Sequence, residues 1–520
     1  MNAIQRAWRY ITRKPTKSIL LIITFFVIGN LVILGLGISQ AADNAKILTR
    51  KSMRAAVSYE VDYNSYYDYV NTLTDSDEID AAYKNYPKIT QADVTNLASD
   101  ERVVAVNYLA TSTCYSKDFD NVPIGNENLS SGGGTIIDNE GNSYEYTDPN
   151  IMVYANMYPT MIEMQEGTFT LEDGRYYTQD DIDNANKVVC ITKELAEQNG
   201  FKVGDSISLT SIASYEKETY LNAGCSEDDL YLTLEIIGIY STTNEVDTNS
   251  ENFNYMVAYE SPKNIVLVPY STLSEYQLGL QTKYYEYLMQ EYPDSYSSFD
   301  IPSELSPSSV TFLLDDPLNV NDFVSDHSSE LTEYTKLDAN NDTFKKLSRP
   351  LDTMSFFSNI VVWIVVINAV VIISLVTALT LKTREYEIGV LLSLGVSKFK
   401  VIVQLFLELI AIAAVGFLLA VGSGSLIAGK VGEVVLEYQT TSDAQYETSD
   451  DSNTYYWSDS TDYFTEVTQD DLLSQYHVSV SAPLVLEIYV IGTAVVLIAI
   501  LIPSIMIMRL NPKQILLETN

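Results

Sequence analysis

The chain has 520 residues and carries 69 Asp and Glu against 31 Lys and Arg, a formal charge of −38. Nucleic-acid binding needs a basic footprint, so this balance excludes it, along with any broad face lying flat on anionic lipid. Two histidines (His327, His477) give a histidine-centred catalytic site or a multi-histidine zinc site little to draw on. Three scattered cysteines (Cys114, Cys190, Cys225) make no disulfide framework, although one pair is open to bridging.

Mean hydropathy is close to zero (+0.02), but apolar and acidic residues are sharply segregated along the chain. Residues 1–17 form a short amphipathic segment with Arg6, Arg9, Arg13, Lys14 and Lys17 and no acid. Residues 18–42 follow as an apolar block longer than the roughly 20 residues a membrane-crossing helix needs. Ser39 and Ala41 resemble a signal-peptide cleavage site. The apolar run Ile19 to Ile38 nevertheless exceeds the 7–15 residues expected of a signal core, so a retained anchor is predicted.

Residues 43–355 are too long for a loop and read as an α+β domain. Thr90 is placed to cap a helix over Ala92–Ala98, with Asp93 in the capping-box position. Strands are predicted from β-branched and aromatic content at 103–108, 187–192, 206–210, 231–240 and 264–269. A β-α-β unit follows: a strand at 309–314, a helix from 319 to 331 behind Pro317, and a strand at 334–337. The run Gly132–Gly134 reads as a flexible loop. The acidic groups Asp180-Asp181 and Glu227-Asp228-Asp229 read as solvated turns, since no loop has EF-hand spacing. Two tyrosine clusters (Tyr63, Tyr66, Tyr67, Tyr69; Tyr284, Tyr285, Tyr287) are candidates for a recognition surface.

A second apolar block covers 356–381, a third 399–429 and a fourth 488–508. Between the third and fourth lies an acidic segment, 430–487. Lys382, Arg384, Lys398 and Lys400 surround the short 382–398 loop, and Arg509 and Lys513 lie in the 509–520 tail. The bias of basic residues toward short flanking segments predicts that both termini and the 382–398 loop are cytoplasmic, in a multi-pass cell-membrane protein. The 43–355 domain and the 430–487 segment are then extracellular. The fold class predicted is four transmembrane helices plus a large α+β extracytoplasmic domain between the first and second.

The most specific segment is Arg384-Glu385-Tyr386-Glu387-Ile388-Gly389-Val390-Leu391, followed by Gly395. It resembles the R-x-x-E-I-G-x-L-x-x-x-G signature of MacB/FtsX-type ABC permeases, the type VII group. Glu408 matches an acidic residue of that family's third helix. Pro503, Arg509, Asn511-Pro512 and Ile515-Leu516 match its C-terminal pattern, and Gly167 to Ile207 resembles its outer domain. The insertion at 431–482 departs from the usual short connection.

The resemblance implies a permease that is not itself an enzyme and holds no cofactor, with ATP and Mg in a separate cytoplasmic ABC ATPase. A second permease copy or paralogue, the lipid membrane and an extracellular peptide or cell-wall protein are further implied partners. On this reading Arg384, Glu385 and Glu387 supply docking charges, while Ile388, Leu391 and Leu392 supply an apolar face, with Gly389 and Gly395 permitting close approach or a turn. The work would be mechanotransmission on a peptide, antibiotic or lipid-like substrate. The alternative is an FtsX-like regulator of a cell-wall hydrolase. Glu408, an ionisable group inside a span, is a coupling or helix-packing candidate by its cost in lipid. Gly424 to Val431 nearly spells a phosphate-binding loop, but Val431 lacks the hydroxyl that Mg²⁺ requires and no strand precedes it.

Overall fold

The computed structural model describes residues 9, 11–13, 15–126, 133–137, 143–250, 252–296, 301–444, 476–479 and 481–509. Gly132, Arg6, Lys14, Asn511-Pro512, Ile515-Leu516, Lys513 and most of the 431–482 insertion lie outside the described residues. The chain divides into an α+β unit built on Arg54–Asn340 and a helical unit built from the segments on either side.

Helix α1 (Pro15–Ser52) is one continuous 38-residue element. Past it, the α+β unit contributes strands β1 (Ala56–Val61), β2 (Val103–Lys117), β3 (Gly133–Ile137), β4 (Ser143–Thr147), β5 (Ile151–Asn156) and β6 (Phe169–Gly174). Strands β7 (Val188–Thr192), β8 (Ser206–Thr210), β9 (Leu232–Thr242), β10 (Ile265–Pro269), β11 (Ser309–Leu314) and β12 (Thr335–Asp338) complete it. The sheet order is β12-β1-β11-β2-β5-β10-β7-β9-β6, with β8 joining β2 to β9, and β3 and β4 form a separate ribbon.

The predicted β-α-β unit is present and split. Strand β1 runs antiparallel to both β11 and β12, so those two are parallel to each other with β1 between them. The connecting helix buries Val320 and Phe323 against Phe312. It is shorter than predicted, Val320–His327 after a single turn at Pro317–Asn319. The helix Gln91–Ala98 carries the predicted capping box: Asp93 accepts from the Thr90 amide at 2.8 Å, and Thr90 Oγ1 accepts from the Asp93 amide at 3.4 Å. Strand β2 runs nine residues beyond its predicted end, because its second half pairs with β5 and β8. Cys114, Cys190 and Cys225 are free, buried thiols. Burial pushes Cys114 and Cys190 up to about 12, away from the reactive thiolate.

Asp181 shows how this acidic domain uses a buried carboxylate. It accepts from Arg175 Nη1 at 2.6 Å, Arg175 Nη2 at 3.2 Å, the Thr178 amide at 2.8 Å and Asn186 at 3.0 Å. The Arg175 hydrogen bond, helped by Asn186 and Thr178 and opposed by burial, holds its pKa below the ordinary 3.8. A depressed folded pKa contributes stability that is present above the unfolded value and lost as pH falls through the folded one. Asp181→Asn is therefore expected to cost about 2 kcal/mol at pH 7, since the half-exposed Arg175 is partly screened. The gap between variant and parent should narrow below pH 4, as thermal melts at pH 7 and pH 3.5 would show. A gap that stays constant with pH would contradict the assignment.

After the domain the chain re-enters the helical unit. The α+β unit also holds two short helices after β1, α2 (Tyr63–Thr72) and α3 (Ser76–Lys84). The remaining spans are α4 (Asn341–Thr383), then the short α5 (Glu385–Ser393), α6 (Lys398–Ala444), α7 (Ala482–Ala499) and α8 (Leu501–Arg509). Four of these helices are long and apolar enough to cross a membrane, as predicted. All run past their predicted ends. The second begins fifteen residues earlier than 356, and the third continues as helix through 430–444, where the acidic insertion was expected to start. The stretch 424–431 is helical within α6. The fourth span breaks at Ile500 because Pro503 has no N–H for the Ala499 carbonyl and its ring crowds it.

The bundle encloses one set of apolar residues and turns another outward. Phe25, Ile33, Ile373, Ala420 and Val496 are fully enclosed. Trp363, Ile367, Leu375, Leu418 and Leu486 project outward, the pattern of a surface solvated by lipid. Side-chain hydrogen bonds join the spans. Ser423 Oγ donates to Asn30 Oδ1 at 2.9 Å, Ser39 and Ser355 share a bond of 2.8 Å, and Asn359 donates to Ser39 at 3.3 Å.

Candidate functional site

The 382–398 segment is a helix between two turns. Arg384 precedes α5, and its carbonyl accepts from the Ile388 amide at 3.0 Å. At the far end Gly395 adopts φ +85°, which side chains rarely tolerate. That left-handed residue lets the Val396 amide reach the Leu391 carbonyl and the Gly395 amide reach Leu392, both at 3.1 Å. Nothing lies within 4 Å of a Cβ built on Gly395, so glycine is required there by the backbone angle alone. Ser397 then caps α6 through the Lys400 amide at 3.4 Å.

Arg384 points into the bundle. It is 8% exposed, and its Nη1 donates to Glu408 Oε2 at 2.8 Å, with Nη2 to Oε1 at 3.5 Å. Glu408 is 3% exposed and accepts a further bond from Gln404 Nε2 at 2.9 Å, one helical turn back. Glu387 lies 3.5 Å from Arg384 Nε. Gln404 Oε1 is buried with no hydrogen-bond partner among the described residues. A buried carboxylate in a span is tolerable only when neutralised and hydrogen-bonded, and Arg384 and Gln404 do both.

The apolar face assigned from the sequence is turned the other way. Ile388 is buried with Leu381, Val401, Leu405 and Ile507, and Leu392 and Val396 pack against them. Gly389 is buried, its carbonyl accepting from Ser393 Oγ at 2.9 Å, and Leu391 is half-buried. The exposed apolar groups of this loop and the first turn of α6 are instead Leu394 at 76%, Phe399 at 72% and Tyr386 at 54%. Glu387 is exposed and Glu385 half-exposed beside them. Arg384 is thus part of an internal ion pair and not a surface docking charge. Two further contacts tie the spans at this end: Lys17 Nζ to Thr383 Oγ1 at 3.2 Å and Lys398 Nζ to the Met508 carbonyl at 2.7 Å. Lys398 thereby sits on the negative end of α8. Gln404 was legible as the i−4 neighbour of Glu408 on one helix face, a spacing that brings side chains together. The exposure of Leu394 and Phe399 depends on how α5 and the start of α6 are rotated, which periodicity alone leaves open.

Two family models cover this architecture. A MacB-like periplasmic core domain matches residues 30–324, and an FtsX-like permease C-terminal domain matches residues 359–512. The chain belongs to the MacB/FtsX-type ABC transporter permeases. The second match contains the whole 382–398 segment and Glu408. The permease is 26% identical over 437 residues to an uncharacterized ABC transporter permease, YclI, of Bacillus subtilis strain 168. That alignment covers 82% of this chain and 80% of the relative. It is also similar to the periplasmic region of MacB from Actinobacillus actinomycetemcomitans. There the identity is 12% and the TM-score 0.27, over 57% of this chain and 94% of the other. The extracellular domain of the noncanonic ABC-type transporter YknZ from Gram-positive bacteria gives 11% identity and a TM-score of 0.26. That match spans 54% of the permease and 99% of the other chain. An ABC permease works in a membrane with an ATPase partner, and its spans and outer domain are those of a multi-pass membrane protein.

Proposed function

We propose that the permease converts the closure of a separate cytoplasmic ATPase pair into movement of its outer domains. Residues 1–17, 382–398 and 509–520 face the ATPase, the arrangement that the distribution of basic residues favours. Leu394, Phe399 and Tyr386 insert into the ATPase, with Glu385 and Glu387 on the rim. Arg384 passes the displacement to α6 through Glu408. ATP and Mg²⁺ are held by the partner, and two permease chains work together. The displaced outer domains act on a peptide, antibiotic or lipid-like substrate.

The observation that carries this reading is the division of the segment 384–399 into an exposed set and a buried set of residues. Leu394 and Phe399 are largely open, while Arg384 and Ile388, a few residues away, are locked into the bundle. An exposed apolar tip costs solvation unless a partner covers it, and a buried ionic root resists sliding relative to the span. Co-purification of the cognate ATPase tests the proposal. Leu394→Asp with Phe399→Asp is expected to reduce recovered ATPase at least about tenfold, the effect of two central apolar anchors. Glu385→Lys with Glu387→Lys is expected to weaken it less, as rim charges do. Full ATPase recovery by both double variants would sink the docking assignment.

A further inference from the structure

One of the two tyrosine clusters forms a continuous aromatic surface on the outer unit. Tyr66 is buried at its centre and donates from its hydroxyl to the Ala82 carbonyl at 2.8 Å. Its ring meets Tyr67, Tyr86 and Tyr334 edge-on, with centroids 5.5, 5.1 and 5.6 Å away. Tyr63 leans on Tyr86 at 6.1 Å, and Tyr69 stacks on Tyr334 at 5.4 Å. Tyr334 holds a left-handed backbone, φ +60°, and its carbonyl accepts from the Asp62 amide at 2.8 Å. The outer rings are nevertheless open, Tyr63 at 53%, Tyr67 at 44% and Tyr69 at 42%. The surface is rigidly underpinned, and its outer rings stay partly open to solvent.

The charge around these rings is mostly negative, with Lys336 paired to Glu60. Residues 56–86 contain seven carboxylates and one basic residue, Lys84. Asp68, Asp77, Glu78 and Asp80 are exposed on α2 and α3 and form no ion pair among the described residues. Open tyrosine rings attract cations through their negative faces and bury apolar area at small entropic expense. Carboxylates interleaved with them repel any anionic partner, including a second copy of a chain carrying −38.

We propose that this face binds a cationic amphipathic peptide. Lysine or arginine side chains lie over Tyr63, Tyr67 and Tyr69 and reach the flanking carboxylates, and the apolar residues between them pack on the ring edges. This deepens the permease reading by assigning the outer domain a ligand class, and it rests on that reading for the side from which the peptide arrives.

The test uses the full-length chain in nanodiscs of zwitterionic lipid, with empty nanodiscs subtracted. The probe is a fluorescein-labelled synthetic peptide of alternating Lys and Trp pairs, read by anisotropy. Parallel peptides carry Glu for Lys, or Ser for Trp. The Lys/Trp peptide is expected to bind. Tyr63→Ser with Tyr67→Ser and Tyr69→Ser, or Asp68→Asn with Asp77→Asn and Asp80→Asn, should each weaken it about tenfold or more. Both substitution sets lie on exposed positions, and a thermal melt confirms that each variant keeps the parental Tm. If one set lowers the Tm, the other decides. Equal binding of the Glu/Trp peptide overturns the proposal, as does unchanged affinity in a variant with native Tm. So does a tyrosine-dependent dimer that binds no peptide. Peptide affinity is expected to be unaffected by Leu394→Asp with Phe399→Asp, so failure here and failure of ATPase docking are read separately.

Discussion

Arg384→Leu and Glu408→Leu, made singly, are each expected to destabilise the purified permease severely, whereas the double Leu variant should melt close to the parent. The reason is the asymmetry of buried charge. Removing one partner leaves the other desolvated and unpaired, which costs about 3–5 kcal/mol, while replacing both by apolar groups is often neutral. Here the geometry is bidentate, with both groups almost fully enclosed. Gln404 would keep its amide directed at an absent acceptor in Glu408→Leu, which adds to the penalty. Tm and monodisperse yield in detergent measure the cycle. Additive losses in the double variant would mean that the pair is not the unit described.

The same double variant separates stability from coupling. Leu394 and Phe399 remain in place, so the ATPase should still co-purify. The ionic link between the loop and α6 is gone, so ATP hydrolysis should no longer depend on the substrate or on the state of the outer domain. Full retention of that dependence would remove Arg384 and Glu408 from the transmission path and leave them a purely structural role.

The second large effect is expected at Gly416. A Cβ at this position would lie 2.6 Å from the Phe25 Cβ and 3.1 Å from the Ile22 carbonyl oxygen, so a backbone must move. Gly416→Ala is expected to cost about 1–3 kcal/mol by overpacking, and larger residues more. At Gly424 the clash is with the Ile33 side chain at 2.7 Å, which can partly rotate, so its alanine variant should be milder. Gly422 faces open space, and Gly422→Ala should be neutral or gain up to about 1 kcal/mol from helix propensity. Detergent melts of the three variants give the order directly. A Gly422→Ala loss as large as that of Gly416→Ala would show that these glycines serve flexibility and not packing. The contacts recur at one-turn intervals: Gly416 meets Phe25, Gly29 meets Ala420, and Gly424 meets Ile33. Two spans running side by side in the same direction therefore share a small-residue seam, the arrangement that lets helix backbones approach where lipid offers no hydrophobic drive.

Much of this was legible along the chain. The spans follow from the number of apolar residues that lipid demands, and the capping box at Thr90 and Asp93 from local hydrogen bonding. The split β-α-β unit follows from β-branched runs on either side of an amphipathic helix. Strand β5 escaped because nearly all of its residues are buried, on both faces, and such a strand loses the alternation that marks strands. The 22-residue helix Tyr270–Glu291 escaped for a related reason: its tyrosines are partly buried on several sides, so no apolar stripe stands out.

The acidic outer surface, the four apolar spans and the Arg384 to Gly395 motif were set by the sequence alone, because each depends on composition or on neighbours within one helical turn. Tertiary structure decided which members of that motif face inward. Arg384 and Glu408 are 24 residues apart and meet only because the turn at Gly395 folds α6 back beside α5. That same fold buries Ile388 and leaves Leu394 and Phe399 open. A charge near a span is read from the sequence as a group seeking water or a partner. Which of the two it finds is settled by whether another helix brings an opposite charge within hydrogen-bond reach.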